Sequence, residues 1–300
     1  MRPPGVSDRK KYNCPYCHTA SDFYFPFHTR TYYNCPSCDL IFVKRKRGIK
    51  TSIAYYQNHY FDEYTKDQTS RYRTSIYRYI LDVIEDSIGS GKILDLGCGC
   101  GLFLNEAKSR GWQVAGVDPS LKSVAYAKSI VGEYVTCGTL DDIPTDHWFD
   151  VITLINVLDH MVDACRQLQK VYNHLGSNGI IYLRFPNGNF HSFVMRLSLA
   201  LSAKQFMNPF LVFHEYAITP RAIKRCLMDL GFQNIQVSNS PLAGDDLLPG
   251  KRLIAKSIIE TIRALIWGFF KSLEKLSGGR WLWGPSLQVI ARKGIGGSST

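Results

Sequence analysis

Two cysteine pairs open the chain, Cys14-Pro-Tyr-Cys17 and Cys35-Pro-Ser-Cys38, with seventeen residues between them. Two thiolates three positions apart on a tight turn grip one side of a metal ion. A second such turn, returned by a hairpin, completes a tetrahedron. Asp22–Phe27 and Arg30–Tyr33 are rich in strand-forming residues, as the hairpin requires, and Leu40–Val43 supplies a third strand of a zinc ribbon. Four thiolates leave no open position, so Cys14, Cys17, Cys35 and Cys38 are expected to hold a structural Zn2+ ion and not a catalytic one. His18 and His28 are read as ribbon surface.

A second constellation lies at Ile93-Leu-Asp-Leu-Gly-Cys-Gly-Cys-Gly-Leu-Phe-Leu104. A short apolar strand ends at Asp95, and Gly97, Gly99 and Gly101 then lead through a turn into a helix. Glycines at such a turn adopt positive φ and let a ligand approach the backbone closely. A second acid, Asp118, closes the next strand seventeen residues after Gly101. A carboxylate there can accept both hydroxyls of a ribose. A dinucleotide site is the alternative, but the acid leading the loop and the spacing of the third glycine disfavour it. Cys98 and Cys100 are small residues of the loop and not a redox pair.

With these residues in place the chain resembles the class I S-adenosylmethionine-dependent methyltransferases. Leu94–Gly101 is similar to their first motif and Val114–Ser120 to their second. The resemblance continues through Phe149–His160, Leu175–Tyr182 and Leu230–Phe232, over about two-thirds of the chain. It implies that Asp95, Gly97, Cys98, Gly99 and Gly101 hold the methionine part of S-adenosylmethionine, and that Asp118 and Pro119 hold the ribose. Asn156, at the end of the fourth strand, is placed with the same site. Where the family often carries an Asp for the adenine amino group, this chain has Thr139; the Leu140 backbone and Asp141 are the substitutes. The family's Glu-His before the fourth helix is here Asp159-His160.

Methyl transfer to a hydroxyl needs alignment of the acceptor and a base for its proton. His160, directly after the fourth strand, is the candidate base; packing against the following helix is the alternative reading. His214, beside Glu215, is a second candidate, against a reading of that segment as a solvated lid. The layout resembles zinc-ribbon methyltransferases associated with bacterial sugar tailoring and surface-polysaccharide synthesis. The core resembles enzymes that O-methylate quinone precursors. The expected function is S-adenosylmethionine-dependent methylation, at oxygen, of a small-molecule, sugar or lipid-linked acceptor. One rival is an RNA methyltransferase, with the ribbon and Lys44-Arg-Lys-Arg47 on the phosphate backbone; the chain lacks the Asn/Asp-Pro-Pro-aromatic motif of many amino-group base methylases. The other is a non-catalytic scaffold, against which the intact first motif and Asp118 stand.

Positioning these residues takes an α/β fold: a Rossmann-like, seven-stranded class I methyltransferase sheet with a small N-terminal zinc ribbon. Strands are expected at Ile93–Asp95, Gln113–Val117, Tyr134–Thr136, Phe149–Ile155, Ile180–Phe185, Gln233–Val237 and Leu287–Ala291. Helices are expected over Leu102–Arg110, Leu121–Ile130, from about Asp163 to His174, and from Thr219-Pro220, an N-cap with Pro in the first turn, to Gly231. The organisation predicted is a ribbon over 1–50, a helical lead-in over 51–90 and a methyltransferase domain over 91–293, with a flexible tail over 294–300. Insertions interrupt that domain at about 187–218 and 240–285.

The 300 residues carry a net charge of +11, unevenly placed: +7 over 1–50, −3 over 51–250 and +7 over 251–300. At 45% hydrophobic the chain buries a real core and is not of the disordered class. Met1-Arg-Pro-Pro-Gly does not resemble a secretory signal, and the longest apolar run, Ala264–Phe270, is too short to span a bilayer. With nine cysteines read as thiols or metal ligands, the expected location is the cytoplasm. Both insertions are aromatic: Phe190, Phe193, Phe206, Phe210 and Phe213 in the first; Trp267, Phe269, Phe270, Trp281 and Trp283, with several Lys and Arg, in the second. Two helices closing the pocket is one reading. The other is a peripheral contact with the inner membrane surface through 251–283.

Overall fold

The computed structural model of the chain describes residues 11–44, 61, 71–161, 163–201, 211–242 and 256–294. Four short strands come first: β1 (Tyr12–Asn13), β2 (Ala20–Phe27), β3 (Arg30–Asn34) and β4 (Ile41–Val43). Helix α1 (Arg71–Ile88) follows. Its Ile76, Ile80, Leu81 and Ile84 recur at helical spacing and are buried against Ile93, Phe103, Val151 and Tyr182. Burying each such side chain contributes about 1.5–3 kcal/mol. The rest of the predicted lead-in, apart from Phe61, lies outside the described residues.

From there strand and helix alternate. The order is β5 (Lys92–Leu96), α2 (Leu102–Ser109), β6 (Gln113–Asp118), α3 (Leu121–Val131), β7 (Val135–Cys137), β8 (Phe149–Ile155), α4 (Ala164–His174) and β9 (Leu175–Pro186). Strand β9 begins five residues before the expected Ile180, because Leu175 pairs with Phe149 across a bulge before the regular register resumes at Val151. Helix α5 (Gly188–Ala200), strand β10 (Tyr216–Ala217), helix α6 (Pro220–Asp229), strand β11 (Phe232–Asn239), helix α7 (Lys256–Leu276) and strand β12 (Ser286–Lys293) complete the order. The expected start of α6 is present: the Thr219 hydroxyl accepts from the Ala222 N–H, with Pro220 in the first turn.

The large sheet runs β11-β12-β9-β8-β5-β6-β7. Strands β5 to β9 pair in parallel, and β12 is antiparallel to both its neighbours, β9 and β11. This is the seven-stranded Rossmann-like sheet that the motifs imply. A parallel sheet of this kind offers its ligand crevice at the carboxyl ends of its strands.

The second sheet runs β1-β2-β3-β4-β10. Its last strand is not part of the ribbon. Tyr216 and Ala217 come from the first insertion and pair with Phe42 and Ile41. The core follows the same route: one buried cluster runs from Cys35, Leu40 and Phe42 through Leu154 and Phe185 to Leu227. Another joins Phe25, Phe27, Tyr32 and Ile41 of the ribbon to Met195, Leu211 and Phe213 of the insertion. Phe206 and Phe210 lie outside the described residues.

Candidate functional site

The cysteine turns are built alike. The Cys14 N–H donates to the Thr19 carbonyl and the Cys35 N–H to the Leu40 carbonyl; His18 and Asp39 close each turn onto the carbonyl of its first cysteine. Both His18 (φ 59°) and Asp39 (φ 65°) are left-handed, which turns the chain back under its own thiols. The sulfurs lie 3.6 Å apart for Cys14 and Cys38 and 3.4 Å apart for Cys17 and Cys35, with all four within 4.8 Å of one another. A tetrahedral zinc with Zn–S near 2.3 Å sets its sulfurs about 3.8 Å apart, so the four thiols fit the ion and leave no open position.

In the glycine loop, Gly97 (φ 80°), Gly99 (φ 51°) and Gly101 (φ 73°) are all left-handed. A side chain at Gly97 would meet Val157 Cγ2 at 2.6 Å, and one at Gly101 would meet Ala127 Cβ at 2.8 Å. The loop is therefore clamped between the turn after β8 and helix α3. Asp95 lies inside, 3% exposed, and accepts a 2.6 Å hydrogen bond from the Thr153 hydroxyl. Burial raises its carboxyl, the Thr153 bond lowers it and the nearby Asp118 charge raises it, which together leave it at about 7.

Asp118, at the end of β6, accepts from the Gly99 N–H through Oδ2 and from the Ser120 N–H through Oδ1, each at 2.9 Å. Each oxygen keeps a further lone pair for a diol. Burial also raises this carboxyl, against the two backbone bonds. Beside it, the Pro119 carbonyl accepts from the Cys137 thiol.

After β7 the chain makes a short 3-10 turn, Leu140–Asp142, capped by Thr139. Leu140 is buried, and Asp142 is spent on the Thr139 N–H and hydroxyl. The Asp141 carboxylate is exposed and paired with Lys170 of α4. The Leu140 carbonyl accepts from the Ile143 N–H, and Asp141 is turned to a lysine.

Past β8, Asn156 adopts φ 58°, and its Oδ1 accepts from Arg184 Nη1 at 2.6 Å. Arg184 is 2% exposed and also donates to the Ser240 hydroxyl and the Pro241 carbonyl. Its guanidinium locks the ends of β8, β9 and β11 together. Sequence reasoning passed over Arg184; the signal was a lone charge inside the apolar run Ile-Ile-Tyr-Leu-Arg-Phe.

The next turn, Leu158–His160, carries the buried Asp159. Its Oδ2 lies 3.8 Å from His160 Nε2 and 3.7 Å from His214 Nε2, and its Oδ1 accepts no hydrogen bond among the described residues. The two imidazoles stack, with centroids 3.6 Å apart and planes 33° apart. Burial drives His214 down to about 4, against the raising effect of Asp159. His214 thus lies against His160 with both rings close to one carboxylate oxygen. Such a group can hold one proton.

The two insertions meet over this edge. Asn187 Nδ2 donates to the carbonyls of Leu282 and Gly284, and the His191 ring hydrogen-bonds the Pro285 carbonyl. Phe190 meets Phe270, and Phe193 meets Trp283.

A family model described as a methyltransferase domain matches residues 64–237. A curated relative from Bradyrhizobium diazoefficiens, named ubiquinone biosynthesis O-methyltransferase, is 30% identical over 151 residues, or 47% of this chain and 58% of that protein. The chain spans about half the length of the curated relatives it matches. Among solved structures, magnesium protoporphyrin IX methyltransferase from Synechocystis PCC 6803, with bound SAH, is similar at TM-score 0.53 and 14% identity, covering 80% of this chain and 97% of that one. A SAM dependent methyltransferase from Archaeoglobus fulgidus is similar at TM-score 0.50 and 20% identity, covering 79% and 100%. At these identities the likeness is one of fold.

Proposed function

The chain belongs to the methyltransferase domain family, and from that premise we propose that it transfers a methyl group from S-adenosylmethionine to an oxygen of a small-molecule or lipid-linked acceptor. The observation that carries this reading is the meeting of two stations at one sheet edge: the acids Asp95 and Asp118 around the glycine loop, and Asp159 with its two imidazoles. S-adenosylmethionine supplies the methyl as an electrophile. Asp118 takes the ribose hydroxyls, Asp95 and the loop from Gly97 to Gly101 take the methionine end, and the Leu140 backbone takes the adenine rim. His160 accepts the acceptor hydroxyl's proton, with Asp159 steadying the imidazolium that forms.

Asp95 adds a pH signature. Its folded pKa of about 7 lies above the unfolded value of 3.8. The folded chain therefore binds more protons than the unfolded one between those values, and stability falls as pH rises through that window. A ligand ammonium against Asp95 favours the carboxylate. Calorimetry with S-adenosylhomocysteine at pH 6.5, in buffers of different ionisation enthalpy, is expected to show release of about half a proton or more. Buffer-independent heats would remove Asp95 from the ammonium.

The acceptor class rests on two supports. The curated relative is named as an O-methyltransferase of ubiquinone biosynthesis. The insertions also leave Phe193, Leu197, Leu201, Leu265, Phe269, Leu276, Trp281 and Trp283 exposed on α5, α7 and the turn after it, with Lys275 and Arg280 nearby. Aromatic and basic residues on one face suit an anionic membrane surface. No helix among the described residues is long and apolar enough to cross a membrane. Labelled methyl transfer to catechol hydroxyls is the test, with soluble and alkyl-tailed acceptors, with and without anionic vesicles. Tailed acceptor in vesicles is expected to react at least about tenfold faster. Equal rates without vesicles would sink the membrane contact, and transfer to none of them would sink the acceptor class.

The RNA reading has less support. Of Lys44-Arg-Lys-Arg47 only Lys44 is described, and it folds back on the Tyr12 ring and hydroxyl.

A further inference from the structure

We propose that the zinc ribbon is a positioning element of the acceptor site: Tyr32 and its neighbours form a socket for Phe213, and through Phe213 they hold His214 against Asp159 and His160. The inference rests on the reading above only in taking these histidines to face the acceptor.

The segment 211–217 is fastened to the ribbon at several points. The Phe213 ring lies 5.0 Å from Phe25, 4.9 Å from Phe27 and 5.3 Å from Tyr32, centroid to centroid. All four rings are buried. The Tyr32 hydroxyl donates to the His214 carbonyl at 2.8 Å, so the residue bearing the imidazole is held by its own backbone. At Glu215 the carbonyl accepts from the Val43 N–H, and the carboxylate pairs with Arg30 at 3.1 Å. Tyr216 and Ala217 then join the ribbon sheet. Towards the histidine turn, the Glu215 N–H donates to the Asp159 carbonyl at 3.1 Å.

The ribbon's own core is small, and the four thiolates around zinc are what close β1 to β4 into a unit. A socket on that unit transmits the order of the metal site to residue 214. None of these contacts involves Asp95, Asp118 or the glycine loop. Losing the ribbon's grip should therefore disturb the histidines and spare the cofactor station.

His214 reports on its own placement. The titratable groups facing it are Asp159 and His160 from the turn after β8, Arg30 from the ribbon, His191 from α5 and the adjacent Glu215. Its midpoint is low because the protein around the half-buried ring strips away much of its water. Released from the socket, it regains water and returns towards the ordinary imidazole value.

The experiment is an imidazole proton NMR titration of the full chain, with S-adenosylhomocysteine calorimetry beside it. Phe213→Ala empties the socket, Tyr32→Phe removes only the hydroxyl, and a third sample has its zinc withdrawn by a chelator. The His214 midpoint is expected to rise from about 4 towards about 6.5 in Phe213→Ala and in the zinc-free protein, and part of the way in Tyr32→Phe. The upfield ring-current shift between His160 and His214 should vanish with it, and nucleoside affinity should stay within about threefold. An unchanged His214 midpoint in Phe213→Ala and in the zinc-free protein overturns the proposal. So does loss of nucleoside binding together with the histidine signals, because the whole domain would then depend on the ribbon. Failure of the unaltered protein to bind the nucleoside would instead count against the methyltransferase reading.

Discussion

His160→Ala is expected to lower kcat for a hydroxyl acceptor by about 10²- to 10⁴-fold, the usual worth of a positioned base, with S-adenosylhomocysteine affinity little changed. The size follows from the arrangement around Asp159. A base that takes a proton beside a buried carboxylate gains a charge partner as the reaction proceeds. The second imidazole does not compete for that proton, because burial holds His214 near 4. On the proposed reading, the acceptor's proton goes to His160. His214→Ala removes a neutral wall, not the base, and should cost about tenfold or less. Single-turnover rates with saturating cofactor separate the cases: equal, small losses in both variants would leave the histidines as packing and move the base elsewhere.

Asp118→Ala is expected to weaken S-adenosylhomocysteine binding by about 100-fold or more, read by calorimetric titration. Two charge-assisted hydrogen bonds to a ribose are worth roughly 1.5–3 kcal/mol each, and tenfold in affinity is about 1.4 kcal/mol. The effect extends beyond the ribose, because the same carboxylate anchors the Gly99 and Ser120 N–H groups. Without it the Gly99 N–H loses its partner, and the loop is left with the Gly97 and Cys98 N–H bonds to the Val117 carbonyl as its ties to β6. Asp118→Asn keeps one acceptor oxygen and should lose less than the alanine variant. Affinity unchanged in Asp118→Ala would move the ribose elsewhere and remove the strongest reason for assigning this cofactor.

Much of the site was legible because its chemistry is local. The glycine run, the acid leading it and the acid one strand later lie within 24 residues, at strand ends and a turn, and the roles expected of them come from the resemblance those motifs carry. The four cysteines were legible for the same reason: thiol spacing on two turns decides whether a tetrahedron can close. Arg184 was missed because its partners, Asn156 after β8 and Ser240 and Pro241 after β11, come from two strand ends distant in sequence. Asp141 stood as an adenine partner by position along the chain. What lies beside its carboxylate is Lys170, contributed by a helix that begins more than twenty residues later.

The sequence by itself determined the alternation of strands and helices, the glycine loop with its two acids, and a hairpin carrying four thiols at zinc-ligand spacing. Periodicity, turn chemistry and ligand spacing act over a few residues, so they are written in the order of the chain. Only the tertiary structure decided that residues 216–217 would leave the methyltransferase insertion to extend the ribbon sheet, and that His214 would stack on His160 over one carboxylate. Those arrangements depend on apolar surfaces finding each other across nearly two hundred residues, Phe25 and Tyr32 against Phe213. Burial is non-directional, and many pairings in the chain would satisfy its pattern; close packing of the folded core selects one of them.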